Sequence, residues 1–299
     1  MILDIKFKVL RRIIMKKKIL AAAVMAAMTL STASVFASPV FSGDTKVEYI
    51  NNDQDTSLIS RFRLNVDANV DNVLNVHARY NTGGYDMRNG QSTVDAAIDQ
   101  AYIGATIKDT ELRLGRQSLW LGNGALMDGD AFNGGQIATS FDNVKLSGFF
   151  GKDADGLKTT QAEIITAIDS VNVGANYLKL DDTKYYGVNF DTKIMENAVF
   201  NVEYVNNTTD KKDGYIAGIK VGNAVQKGDF DYGLAYRNIE AGAVTKYSTD
   251  TQFDDSKGFR VEANYKVTDN STLNIKQDIA KDQARNDKDH TDVTFTVNF

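Results

Sequence analysis

From residue 38 onward, apolar and polar residues alternate with a period of two, segment after segment. In Arg61–Val70 the even positions are Phe62, Leu64, Val66, Ala68 and Val70, and the odd positions are Arg61, Arg63, Asn65, Asp67 and Asn69. Leu74–Asn81, Phe259–Val267 and Val293–Phe299 repeat the pattern without a break. Such a period places all apolar side chains on one face of a β-strand. A soluble sandwich must pair its apolar faces in a core and makes some strands apolar on both sides. Here the segments keep one wet face, and Tyr49, Tyr80, Tyr177, Tyr186, Tyr204, Tyr236 and Tyr265 all fall in the apolar register. That combination predicts an all-β fold: a transmembrane antiparallel up-and-down β-barrel, apolar outside, polar inside, with aromatic girdles. Closure follows from the solvent, because an open sheet edge in hydrocarbon leaves backbone groups unsatisfied.

Short turn signals set the strand count. Asp71-Asn72, Lys108-Asp109-Thr110, Asp142-Asn143, Asp169-Ser170, Met195-Glu196-Asn197, Gln226-Lys227-Gly228 and Asp269-Asn270 separate eight hairpins, which makes 16 strands. Longer polar connections are expected near 51–57, 82–94, 122–136, 152–160, 181–184, 207–213, 240–256 and 283–289. Short turns at one rim and loops at the other are the outer-membrane arrangement. Twelve or 14 strands follow instead if Gln136–Phe141 or Gln161–Ile168 is loop.

Residues 1–37 read as an address rather than as fold. Lys16-Lys17-Lys18 precede an apolar run, Ile19–Leu30, and a small-residue stretch ending in Ala37. This is the charged, apolar and cleavage-site pattern of a signal peptide, with cleavage expected between Ala37 and Ser38. A membrane anchor needs about 20 apolar residues, more than this run supplies. Met15 is the expected start, with residues 1–14 an upstream extension. Residues 38–299 are then the exported barrel domain. With the seven basic and one acidic side chains of residues 1–37 set aside, 27 basic and 38 acidic residues remain, a net of −11. Clustered cations are needed to neutralise phosphates, so a nucleic-acid partner is not expected. The absence of Cys excludes a disulfide framework, thiolate metal sites and a Cys nucleophile.

Three segments carry a resemblance: the terminal strand Val293-Thr294-Phe295-Thr296-Val297-Asn298-Phe299, the run Leu112-Arg113-Leu114-Gly115-Arg116-Gln117, and the glycine- and acid-containing stretch from Gly122 to Gly135 that holds Asp128 and Asp130. Together with the pattern of residues 38–299 they resemble the general bacterial outer-membrane porin family. The resemblance implies that Phe295, Val297 and Phe299 address the chain to the outer-membrane barrel assembly machinery. It implies residence in outer-membrane lipid as a possible homotrimer. It also implies that the Gly122–Gly135 segment, the third outward connection, folds into the lumen and narrows it.

Arg61, Arg63 and Arg79 sit in the inward register of two neighbouring strands. The resemblance sets them against Asp128 and Asp130 across a constriction, where opposed charges make a transverse field that filters ions. Ordinary solvated lumen charges are the plainer alternative. Arg116 shares the parity of outward Leu112 and Leu114 and joins the constriction only through a bulge or an end position. Trp120, the single Trp, suits the outer girdle or the packing of a loop. Asp53, Asp55 and Ser57 have alternating oxygens but lack the glycine and distal glutamate of a calcium loop, so no metal or other cofactor is expected. His77 and His290 have no partner Ser in sequence, which argues against a barrel hydrolase. Inward Asn65, Asn69, Asn75, Asn81, Gly174, Gly187, Gly218, Gly222 and Gly233 favour a wet lumen over a plugged one. The expected function is passive diffusion of ions and small hydrophilic solutes through a non-enzymatic channel. A substrate-selective barrel of 12 or 14 strands, for example for oligosaccharides, is the alternative, and a barrel enzyme stands behind it.

Overall fold

The computed structural model describes residues 38–52 and 55–299. The expected cleavage site lies at its edge: Ala37 and the rest of residues 1–37 fall outside it, as does Asp53. Numbered in chain order, the strands are β1 (Val40–Asn52), β2 (Asp55–Asn69), β3 (Leu74–Asn81), β4 (Tyr85–Asp86), β5 (Gln91–Ser92), β6 (Ala97–Ile107), β7 (Thr110–Leu121), β8 (Met127–Phe141) and β9 (Val144–Lys152). They continue as β10 (Lys158–Ile168), β11 (Val171–Leu180), β12 (Thr183–Met195), β13 (Ala198–Asn207), β14 (Lys212–Gly222), β15 (Phe230–Ile239), β16 (Ser256–Thr268), β17 (Ser271–Asp282) and β18 (His290–Asn298).

Each long strand pairs antiparallel with its neighbours in sequence, and β1 closes the ring by pairing with both β2 and β18: Val47 lies opposite Ser60 on one side and Phe295 on the other. The wall is therefore a closed 16-stranded barrel. β4 and β5 form a small hairpin between β3 and β6 that extends the sheet beside β2, with Asp86 opposite Ile59. All seven short turns form where the sequence places them. Residues 181–182 and 208–211, expected within longer loops, are tight turns instead. Gln136–Phe141 and Gln161–Ile168 are strand, which removes the lower counts.

Alternation directs the faces as expected. Phe62, Leu112, Leu114, Ile137, Tyr186, Tyr204, Phe259 and Tyr265 are exposed on the outer surface. Ring closure is tight at the last residue. Phe299 exchanges backbone hydrogen bonds with Gly43 at 2.9 and 3.0 Å and stacks on Phe62 with ring centroids 5.7 Å apart. A Cβ on residue 43 would sit 2.6 Å from the Phe299 ring and 2.2 Å from the Arg63 carbonyl, so only glycine fits there.

The interior is not uniformly wet. At the loop end an apolar core lies inside the barrel. It is built from wall residues Phe149, Leu178, Tyr185, Val205, Ile216 and Ile239 and from Leu121, Leu126, Met127, Val244 and Phe253 of two inserted connections. The expected uniformly wet lumen is thus corrected at the loop end, part of which is filled.

Candidate pore constriction

The wall side of the site comes from the inward registers of β1, β2, β3 and β6. Asp44 receives Arg63 Nε at 2.6 Å and Arg61 Nη2 at 3.2 Å. Arg79 makes a two-point contact with Asp99, at 2.8 and 3.0 Å. A register shift puts Arg79 opposite Gln100 and Tyr80 opposite Ile98, so Asp99 is the extra residue of a bulge. Asp99 and Gln100 are consequently both buried on the lumen side.

The facing side is the end of the β7–β8 hairpin. Its pairing slips between Gln117 and Leu119, and Ala131 takes a left-handed φ of 70°. The hairpin end leaves the wall there and crosses the barrel. Gly122 N donates to Glu163 at 3.0 Å, and Asn123 N and Ala125 N donate to the two oxygens of Glu203 at 3.2 and 3.3 Å. These carboxylates project from β10 and β13, on the far wall, and take up the backbone donors of a turn removed from water. The crossing hairpin has two faces. Leu119, Leu121 and Met127 pack into the apolar core, while Trp120 and Asp128, opposite one another, are exposed on the other face. Asp130 reaches back to Arg79 Nη2 at 2.7 Å and accepts from Gln100 at 3.2 Å.

A second connection, 240–255 between β15 and β16, straps the hairpin. Tyr247 O accepts from Asp128 N at 2.7 Å, Gly124 O from Thr249 N at 3.1 Å, and Leu126 O from the Thr245 hydroxyl at 2.7 Å. The strap is itself held at two points. Asp250 pairs with Arg237 at 2.5 Å and Arg260 at 3.0 Å, Arg260 also pairs with Asp278 at 2.6 Å, and both guanidiniums lie over the Phe253 ring. At its middle Asp153 accepts from Tyr247 at 2.8 Å and Lys246 at 3.2 Å, and Lys246 also binds Asp155. Burial pushes the Asp153 carboxyl up, but the hydrogen bonds from Tyr247, Leu157 N and Lys246 outweigh it and hold the group below its ordinary value. Burial and the bond to Asp153 push the Tyr247 phenol up to about 12.

Of the residues expected at the constriction, Arg79 and Asp130 touch, Arg61 and Arg63 both pair with Asp44 on the wall, and Asp128 is exposed on the inserted hairpin. Arg116 does not join them. It lies opposite Ala101 and Asn133, in the outward register of Ile103 and Ile137, because the bulge that turns the hairpin falls one residue too late to turn it. Trp120 is not in the outer girdle either; it lies on the inserted hairpin, with Nε1 donating to Gly122 O at 2.7 Å. Asp44, Asp99, Glu163 and Glu203 were absent from the sequence expectation, although each is an acid in a wet register. The Arg237–Asp250–Arg260–Asp278 cluster was also missed, since Asp250 lies in a loop whose path the sequence does not reveal. His77 contacts Asp67 at 2.7 Å and stacks on Tyr102, and His290 contacts Asn52. Among the described residues no group of three or more His, Asp or Glu side chains is placed to hold a metal ion.

A family model described as Gram-negative porin matches residues 20–299. The chain belongs to the Gram-negative porin family. It is accordingly a channel protein of the bacterial outer membrane. Among solved structures it is similar to variants of the Rhodopseudomonas blastica porin. One with three substitutions superposes with a TM-score of 0.65 and another with five with 0.64, each at 12% identity over 87% of this chain and 100% of that one. At that identity the likeness concerns the fold of this porin. No curated protein matches its sequence.

Proposed function

We propose that this porin passes ions and small hydrophilic solutes by passive diffusion, and that its filter is the gap between the inserted hairpin and the β1–β3 and β6 wall. The observation that carries this is the contact of Arg79 with Asp130, which fixes an acidic hairpin against a basic wall. Lys46, Arg61, Arg63 and Arg79 here stand among Asp44, Glu48, Asp99, Asp128 and Asp130, four cations against five anions. The excess acid, together with the net acidity of residues 38–299, favours cations weakly over anions. Residues 1–37 serve as the signal peptide, cleaved before Ser38. The terminal strand with Phe295, Val297 and Phe299 serves assembly through the barrel assembly machinery, and the assembled form is a homotrimer in outer-membrane lipid. Reversal potentials in a salt gradient across a planar bilayer test the filter. A cation preference that is lost on neutralising Asp128 and Asp130 supports it, and a preference indifferent to both contradicts it.

A further inference from the structure

Below the hairpin tip, in the half of the barrel nearer the short turns, the inner wall of β13–β16 is hollowed. Inward positions 218, 233 and 235 are Gly, Gly and Ala. A Cβ on Gly233 would meet only the Ile219 carbonyl, at 3.6 Å, so this position opens into free space. The hollow has a volume of about 150 Å³ and runs into a smaller one of about 80 Å³ under Asn123 and Thr249; Asn201, Ala235 and Arg237 line both.

The polar groups around it are incompletely used. Arg237 is only 9% exposed and binds Asp250 through Nε, yet its Nη1 is buried without an acceptor. Asn201 Oδ1 is buried without a donor. Glu262 accepts from Asn274 at 2.7 Å through Oε1, and Oε2 has no partner among the described residues. Lys220, half exposed, uses one of its three donors on Asp231 at 3.1 Å. Two polar atoms without protein partners thus lie in the lining of one recess, where a solute that enters it can satisfy them.

Unused donors and unused acceptors stand side by side here. An anion would satisfy Arg237 and Lys220 but would meet Asp231 and Glu262. A cation would face the reverse conflict. A hydroxyl group both donates and accepts, so it serves either kind of orphan at no charge cost. We propose that this recess is a binding station for a neutral polyhydroxylated solute the size of one sugar ring, on the short-turn side of the constriction. The proposal rests on the diffusion-channel reading, and it adds a saturable step for one class of solute.

The test is current-noise analysis of the full-length protein in a planar bilayer, with D-glucose as the probe. Wild-type channels are expected to show excess noise that saturates with glucose. Gly233→Leu fills the hollow, and Glu262→Gln exchanges a charged acceptor for a neutral one. Gly233→Leu is expected to abolish the saturable component, and Glu262→Gln to raise the half-saturating concentration by about two- to tenfold, since a hydrogen bond to a neutral acceptor is roughly half as strong as one to a charged acceptor. Ohmic steps in which glucose lowers the current only as bulk conductivity falls overturn the binding station and leave the channel standing. Saturable noise untouched by Glu262→Gln also overturns the site, whether or not Gly233→Leu assembles. Wild-type protein that inserts without conducting overturns both readings together.

Discussion

Arg79, on the barrel wall, holds Asp130, on the inserted hairpin, at 2.7 Å while keeping a two-point contact with Asp99. The guanidinium therefore joins wall to hairpin without depending on the hairpin for its charge balance. Asp130→Asn should leave Arg79 paired to Asp99 and the fold intact, while removing one negative charge from the passage. At about 4–8 Å from a permeating ion one charge is worth roughly 0.5–1 kcal/mol even in water. Asp128→Asn with Asp130→Asn should accordingly lower cation permeability and raise anion permeability, each by about two- to six-fold per charge, read from the reversal potential. Arg61→Gln with Arg63→Gln should shift it the other way.

Glu203 is the hairpin's far anchor, 2% exposed and accepting from two backbone N–H groups. Glu203→Ala leaves both donors buried and unpaired, at about 1–3 kcal/mol each. The hairpin should then leave its place for part of the time. Single-channel records should show larger mean conductance and frequent transitions between levels. Quiet steps at the wild-type level would mean that the hairpin is held elsewhere.

Acid should loosen the strap. The Asp153 carboxyl is held below its ordinary value, so its contribution is fully present above about pH 4 and is lost as pH falls through the lowered value. Current fluctuations should therefore be flat from pH 7 to about 5 and rise below pH 4. Tyr247→Phe removes one of the stabilising hydrogen bonds and should move that rise to higher pH. An acid response identical in Tyr247→Phe and wild type would separate it from Asp153.

Phe299 closes the ring on Gly43 and Phe62. Deleting it should strand the chain in the periplasm and strongly lower the outer-membrane yield. Gly43→Val should do the same through the clash with the Phe299 ring, with the terminal sequence itself untouched. Undiminished yields of heat-modifiable barrel in both variants would contradict a closure role.

Period and turn chemistry made the wall legible: a two-residue period flips every side chain if the register slips, and Asp-Asn or Lys-Asp pairs mark tight turns. The inserted hairpin was legible only by resemblance. The interior core left a trace that alternation alone reads past. Tyr177-Leu178, Tyr204-Val205 and Tyr215-Ile216 are adjacent apolar pairs, one residue for lipid and one for the core, at the loop ends of their strands. Arg116 shows the opposite limit. Its face depends on whether a bulge falls before or after it, and a bulge is set by where the hairpin must bend, which the local sequence does not state.

A diffusion channel requires an aqueous passage that survives the inserted hairpin and strap. Purified protein in a planar bilayer, with a tenfold KCl gradient, measures it directly. Steady ohmic steps are expected, with a reversal potential on the cation side that moves toward anions in Asp128→Asn with Asp130→Asn. Insertion without conductance, or an ion preference unmoved by that pair, would contradict it.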